Sequence, residues 1–230
     1  MPIRIVLLID RKVELIGVLL KRRVSSSWRS MLKIDAISFL DWEAVSLEVA
    51  AGEAVAVWGA SGSGKSLLLR AVADLIPHEG NCFLHSKPCA SFAPSQWRRR
   101  VSYLSPEALW WEDSVRAHFS NEPDFAQLGA LGFDASVLDW EPARLSTGER
   151  QRLGVLRMLA REPEALLLDE PTSNLDEATV ASVESLLLGY IRNNEAAAIW
   201  VTHDRAQASR VGWRGYEMSD KKLVENVYEC

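Results

Sequence analysis

AVAVWGASGSGKSLLLRAV, residues 54–72, is the stretch on which the fold turns. AVAVW is a short β-branched and aromatic run, the pattern of a strand buried on both faces. It stops at Gly59, and the leucines after Ser66 return at helical spacing, so the stretch reads as strand, Gly-rich turn, helix. Gly59, Gly64, Lys65 and Ser66 match the G-x-x-x-x-G-K-[ST] phosphate loop. The glycines let the backbone curl through Ala60, Ser61, Gly62 and Ser63 so that successive N–H groups point inward at phosphate oxygens. The helix that follows adds the positive end of its dipole. Lys65 supplies a point charge to the β and γ phosphates, and the Ser66 hydroxyl suits Mg2+. A Gly/Ser linker would not be framed by AVAVW and LLLRAV.

Outward from this core, EALLLDE (164–170) and AAAIWVTHD (196–204) read as two further buried strands. ERQRLGVLRMLARE (149–162) and EATVASVESLLLGYIRNN (177–194) read as helices. Strands alternating with helices argue for a mostly parallel sheet in an α/β fold. Before the loop, LKIDAISF (32–39) alternates like a half-buried strand, and VSLEVA continues a small β part. Residues 91–150 break the rhythm with Trp97, Trp110, Trp111, Trp140 and several prolines, and read as an inserted, largely helical subdomain.

The 230 residues, 48% apolar and 25% charged, have the balance of a globular chain. No apolar run is long enough to span a bilayer. Three cysteines are too few for a disulfide scaffold and suit a reducing setting. The net charge of −5 gives no reason to expect nucleic acid as a partner. Residues 1–30 carry seven Lys or Arg against Asp10 and Glu14, a net +5. Their order of charge and apolarity is not that of a signal peptide. This extension reads as a poorly ordered tail, as a false start with Met31 the true first residue, or as a basic segment lying on a membrane or partner. IRIVLLI (3–9) also suits an extra strand. The folded domain is expected over 31–230.

ALLLDE ends in two acids. Asp169, at the carboxyl end of its strand, is placed to hold Mg2+, and Glu170 to face the γ-phosphate as general base. LSTGERQRL (145–153) puts Ser146 and Gly148 at the start of a helix. GASGSGKS, LSTGERQR, LLLDEP, SNLD and VTHD follow in this order and at these spacings. With them the chain resembles the nucleotide-binding domain of ATP-binding cassette (ABC) transporters over residues 32–212.

The resemblance implies a P-loop NTPase (RecA-like) core with a mainly parallel sheet, a small N-terminal antiparallel β part and an inserted α-helical subdomain. Gly59 to Ser66 with Leu67 look like the Walker A loop, and Asp169 with Glu170 like the Walker B pair. His203 matches the switch histidine. Leu145, Ser146, Thr147, Gly148 and Glu149 match the signature segment, which in the family contacts ATP held by the partner subunit. Ser173, Asn174, Leu175 and Asp176 are similar to the D-loop. These roles imply a head-to-tail dimer, of one cassette or of two different ones, enclosing MgATP.

Four departures stand out. Thr147 replaces a glycine, and Leu67 replaces a threonine. Pro106, with Glu107 beside it, falls where the family has the Q-loop glutamine. The adenine-stacking aromatic falls in the short FLDWEA (39–44), with Trp42 as first candidate and Phe39 as second, unless both belong to the core. Trp110 and Trp111 follow the altered Q-loop and border the groove that in the family receives the permease. Adjacent tryptophans cannot both enter one core, so at least one is expected exposed. Arg98 to Arg100 read as a solvated charge run. Cys82, His85 and Cys89 read either as an ordinary strand and turn or as part of a metal site that lacks a fourth ligand.

The function implied is ATP binding and hydrolysis driving transport through a separate integral-membrane permease, at the cytoplasmic face of the inner membrane. The look is that of small single-cassette bacterial ATPases, including those paired with metal-ion or iron exporters. The alternative is a non-transport cytosolic ABC ATPase acting as an ATP-switched assembly protein.

Overall fold

The structure is a computed structural model that describes residues 30–226; every reading of residues 1–29 lies outside them. Two sheets form the frame. The first has the order β2-β1-β4-β5, from β1 (Ser30–Ser38), β2 (Val45–Ala50), β4 (Glu79–Leu84) and β5 (Lys87–Pro88), all antiparallel. The second has the order β10-β9-β3-β8-β7-β6, from β3 (Ala54–Trp58), β6 (Val101–Leu104), β7 (Ala165–Asp169), β8 (Ala197–Thr202), β9 (Arg214–Ser219) and β10 (Lys222–Asn226). It is parallel except for the β9–β10 hairpin. The helices are α1 (Lys65–Val72), α2 (Pro94–Arg100), α3 (Phe125–Ala130), α4 (Thr147–Leu159), α5 (Glu177–Asn193) and α6 (Arg205–Val211).

Strand periodicity divides the interior in two. Val55, Val57, Leu167, Ile199 and Val201 face one core with the antiparallel sheet and α1, including Ile34, Val49, Leu68 and Leu69. Their neighbours Ala54, Ala56, Trp58, Leu166, Leu168 and Trp200 face a second core with α4 and α5, including Leu153, Leu156, Val183 and Leu187. Successive side chains of a strand point to opposite faces, so a strand packed on both sides must be apolar throughout. This is why β3, β7 and β8 are buried at every position.

The 91–150 stretch is more mixed than its sequence suggests. It contributes α2 and β6 to the main body, and Trp97, fully buried, joins the first core and donates its Nε1–H to Val72 O (3.0 Å). Between Leu104 and Ser146 the chain forms one short helix, α3, and three short stretches of 3-10 helix, so regular helix is scarce there. The arginine run is largely solvated, as expected, with Arg99 exposed and its two neighbours half-buried and paired. Arg98 donates to Asp74 O (3.0 Å), and Arg100 makes a two-pronged pair with Glu164, which also meets His85 Nε2 at 2.6 Å.

Glu53 ties the two sheets together. Its carboxylate, almost fully buried, accepts from Ala50 N (2.8 Å) and from Arg214 Nε (2.7 Å) and Nη2 (3.2 Å). Removing one partner leaves the other charge uncompensated. Arg214 keeps about a third of its exposure, which softens the effect. Glu53→Ala is expected to lower the stability by about 2 kcal/mol, read as a lower urea midpoint at constant m-value.

Candidate active site

The parallel pairing brings the chemistry together. Trp58 lies opposite Thr202, Val201 opposite Asp169, and Leu168 opposite Leu104. The segments that leave β3, β8, β7 and β6 therefore emerge at one edge: the phosphate loop, His203, Glu170 and Pro106. Ligands of open α/β sheets sit at these carboxyl ends.

The loop is shaped by its glycines. A Cβ on Gly59 would fall 2.3 Å from Met218 O. Gly64 caps α1 at φ 87°, a left-handed conformation, and a Cβ there would lie 2.6 Å from the Trp42 ring. Ala60, Ser61 and Gly62 are exposed at the loop tip, and Ser63 N donates to Ala60 O (3.1 Å). Lys65 is buried inside the curl. Its Nζ donates to Gly59 O (2.8 Å) and Ala60 O (2.9 Å) and lies 3.5 Å from Ser63 Oγ. Burial pushes its pKa below the usual lysine value, while the carboxylates of Glu170 and Asp169 act the other way. Leu67 turns away and packs half-buried against the first core. Phe39 is core, 3% exposed, which rules it out as a stacking platform. Trp42 stacks on it (centroids 5.8 Å, interplanar 22°) and lies against the phosphate loop. The Lys221–Asp41 and Lys222–Glu43 (3.0 Å) ion pairs pin this aromatic loop to the β9–β10 turn.

Asp169 is completely buried, and both its oxygens are engaged. Ser66 Oγ donates to Oδ1 (3.0 Å) and Tyr103 OH to Oδ2 (2.7 Å). Arg70 Nε donates to Tyr103 OH at 3.4 Å. A hydroxyl and a carboxylate held together beside a phosphate loop form a hard-oxygen donor set that fits Mg2+. Tyr103 and Arg70 join this cluster, and sequence reading missed both. The one signal for Tyr103 was a phenol near the carboxyl end of the short strand VSYL. Burial pushes the Tyr103 hydroxyl up to about 12, so it stays a donor.

Glu170 follows at φ 47°, left-handed for a non-glycine residue and of order 1 kcal/mol or more in cost. Its backbone is held on both sides: its N–H donates to Val201 O (3.0 Å), and its carbonyl accepts from Gln151 Nε2 (3.4 Å) and Ser173 N (3.2 Å). Its Oε2 lies 3.3 Å from His203 Nδ1. Both side chains reach a cavity of about 160 Å³ whose lining also includes Thr172, Ser173, Thr202 and Gln207.

The segment 145–149 starts α4. The Ser146 hydroxyl caps the helix by accepting from Glu149 N (3.3 Å). In return Glu149 Oε2 accepts from Ser146 N (2.8 Å) and Ser146 Oγ (2.7 Å). Ser146 and Thr147 are exposed, whereas Leu145 is core. Gly148 lies against the D-loop, where an added Cβ would sit 3.3 Å from Leu175 Cδ2 and 3.5 Å from Asn174 O. Asn174 donates to Ser173 Oγ (3.3 Å), and Asp176 caps α5 through Thr179. Among the described residues, no hydrogen bond joins Leu145–Glu149 to the phosphate loop of the same chain.

After β6, Pro106 is half-buried and Glu107 exposed. Trp110 packs half-buried against the second core, and Trp111 is 67% exposed. His118 accepts at Nε2 from Trp111 N (2.7 Å) and Glu112 N (2.9 Å), and its Nδ1 lies 2.9 Å from Ser114 O, so its ring organises the backbone of this loop. Arg157 lies over both indoles (4.5 and 5.3 Å), and burial pulls its pKa down to about 10. Among the described residues no three His, Cys, Asp or Glu side chains are placed to hold a metal ion. The metal reading of Cys82, His85 and Cys89 therefore falls; Cys82 is a core thiol, and His85 pairs with Glu164.

The ABC transporter family profile matches residues 42–173. The probable iron export ATP-binding protein FetA of Escherichia coli (strain K12) is 32% identical over 192 residues, covering 76% of this chain and 85% of that protein. The lipoprotein-releasing system ATP-binding protein LolD of Xanthomonas euvesicatoria pv. vesicatoria (strain 85-10) is 33% identical over 203 residues, covering 80% and 82%. A bacterial Atm1-family ABC exporter, solved with ATP bound, shares the fold at a TM-score of 0.74 and 23% identity. That match covers 86% of this chain and 38% of the exporter's.

The Ser146–Glu149 box makes a pH-dependent prediction. The hydrogen bonds from Ser146 hold the Glu149 carboxyl below its usual value. A lowered folded-state pKa contributes stability above the unfolded carboxylate value, and that contribution is lost as pH falls through the folded value. Ser146→Ala is expected to cost about 1 kcal/mol at pH 7. The gap from the unchanged chain should narrow as the pH is lowered below about 4, followed by urea unfolding.

Proposed function

Since the chain belongs to the ABC transporter family, we propose that it binds MgATP on Gly59–Ser66 and hydrolyses it as the ATP-driving subunit of a transporter whose permease is a separate polypeptide. The observation that carries this is the convergence of Lys65, Ser66, Asp169, Glu170 and His203 at the carboxyl ends of adjacent parallel strands. The glycine-rich curl and the start of α1 cradle the phosphates, and Lys65 exchanges its carbonyl partners for phosphate oxygens. Ser66 and Asp169 hold Mg2+, which supplies charge neutralisation to the phosphates when bound. Tyr103 fixes the orientation of the Asp169 carboxylate. Glu170 Oε accepts the proton of the attacking water, and His203, 3.3 Å away, orients that carboxylate and reaches toward the γ-phosphate. Trp42, seated against the loop, is the stacking surface for the adenine.

Ser146 and Gly148 serve the other half of the catalytic unit. Ser146 is exposed at the N-terminus of the 13-residue helix α4. There it is placed to meet the γ-phosphate bound on a second cassette in a head-to-tail dimer, with the D-loop beside it. No helix of the described residues is long and apolar enough to cross a membrane, which fits a subunit that works beside a permease at the cytoplasmic face. The exposed Trp111 and Leu109 beside Arg157 offer the permease its contact. The relatives' names, iron export and lipoprotein release, leave open what is moved. Pro106 favours a second reading, a cytosolic ABC ATPase that switches the assembly of a soluble partner. A purification that brings down a polytopic membrane protein supports transport; one that brings down only a soluble partner supports the second reading.

Steady-state hydrolysis by the purified chain tests the proposal. Glu170→Gln is expected to lower turnover at least about 100-fold while keeping ATP affinity and trapping a dimer on gel filtration with MgATP. Unchanged turnover removes Glu170 as the base. Lys65→Ala is expected to weaken nucleotide binding itself, and normal binding removes Lys65 from the phosphate site.

A further inference from the structure

A buried polar network lies behind the Glu170–His203 contact and is built from residues outside the motifs. Gln207 on α6 is 6% exposed, Thr172 is 7% and Glu184 on α5 is 9%. The Gln207 amide donates to Thr172 Oγ1 (2.7 Å) and to Glu184 Oε1 (2.8 Å). A carboxylate only accepts, so the chemistry of Glu184 itself sets the orientation of the Gln207 amide. Arg210, one turn further along α6, closes the network on Glu184 through Nη2 (2.9 Å) and Nε (3.3 Å).

The placement gives the network a task. Thr172 is two residues after Glu170, in the turn whose Ser173 N–H donates back to Glu170 O. Gln207 is four residues after His203, on the short helix that the Asp204 side chain caps. His203 itself is 65% exposed, so little packing holds its ring. Glu170 and His203 thus belong to two separate chain segments, and Gln207 bridges them through Thr172. Its other bond anchors the bridge to α5, the long helix that packs on the sheet through Val183 and Leu187. Both ends of the bridge are sheltered from water, where a hydrogen bond is stronger and a lost one costlier.

We infer that Gln207 is a positioning residue of the hydrolytic step: through Thr172 and Glu184 it sets the distance between His203 and Glu170. Its hydrogen bonds run to Thr172 and Glu184, so it acts on the pair through them. The inference rests on the assignment of Glu170 and His203 in the hydrolytic reading above.

The test is Gln207→Leu in the full chain, assayed where all variants are folded by circular dichroism. The expected result is a fall in kcat of about 10- to 100-fold, with KM for ATP within about twofold. The exchanged pair Gln207→Glu with Glu184→Gln keeps a donor facing an acceptor between the two positions and keeps the net charge; the Thr172 hydroxyl then donates, and Arg210 keeps the side-chain oxygen of position 184 as acceptor. It should recover kcat to within about threefold of the unchanged chain. A second readout needs no turnover. The imidazole NMR signals of His203, assigned with His203→Gln, should shift on Glu170→Gln in the unchanged chain and stay still on the same change in the Gln207→Leu background. Full kcat in Gln207→Leu overturns the inference. So does a lost kcat that the exchanged pair fails to recover while the His203 signals still respond to Glu170. If Glu170→Gln alone leaves hydrolysis intact, the hydrolytic reading has failed, a result distinct from the failure of the bridge.

Discussion

Strand β3 is buried on both faces, and that constraint organises the molecule. A strand with no access to water must satisfy its backbone N–H and C=O groups within the sheet. Here β8 and β9 do so, both in parallel register. Parallel neighbours need crossover connections, so α1 and the chain segments between strands must cover the two faces. Two cores result, divided by the alternation of odd and even positions. Parallel pairing also aligns the carboxyl ends. Residues as far apart in sequence as Lys65, Asp169 and His203 come to one edge because of how β3, β7 and β8 lie.

At that shared edge the chain accepts local costs. Glu170 takes a left-handed backbone, Lys65 is buried, and Asp169 has no exposure at all. Each is held by neighbours from a different element. Lys65 is held by the loop carbonyls, Asp169 by hydroxyls from α1 and β6, and Glu170 by Val201 and by Gln151 of α4. Strained or buried polar groups persist only where the surroundings over-determine them. Gln151, on the helix that Ser146 caps, thus reaches the backbone carbonyl of Glu170 from α4.

Legibility in the sequence varied with range. AVAVW, ALLLD and AAIWVT declared themselves as doubly buried strands, because an apolar run this short, bounded by turn residues, fits a strand covered on both faces better than it fits a helix. The phosphate loop and the helix start at Ser146 were legible because both are built from residues close in sequence. The 91–150 stretch was not. Its helices are too short to show periodicity, and Trp97 joins the main core although it sits among tryptophans of the insertion. The partners of Arg98 and Arg100 were not legible, since Asp74 and Glu164 lie on distant segments.

What the sequence determined by itself was the order of the strands and helices that carry the motifs, the glycine-rich turn between β3 and α1, and the family. These depend on residue type and short spacing. Only the tertiary structure decided that Phe39 is core while Trp42 lies on the loop, that Leu67 turns inward, and that Tyr103 holds Asp169. It alone revealed the bridge from Gln207 to Thr172. The physical reason is the same in each case. A side chain's partner across a sheet or between helices is chosen by strand order and register, which no local pattern records.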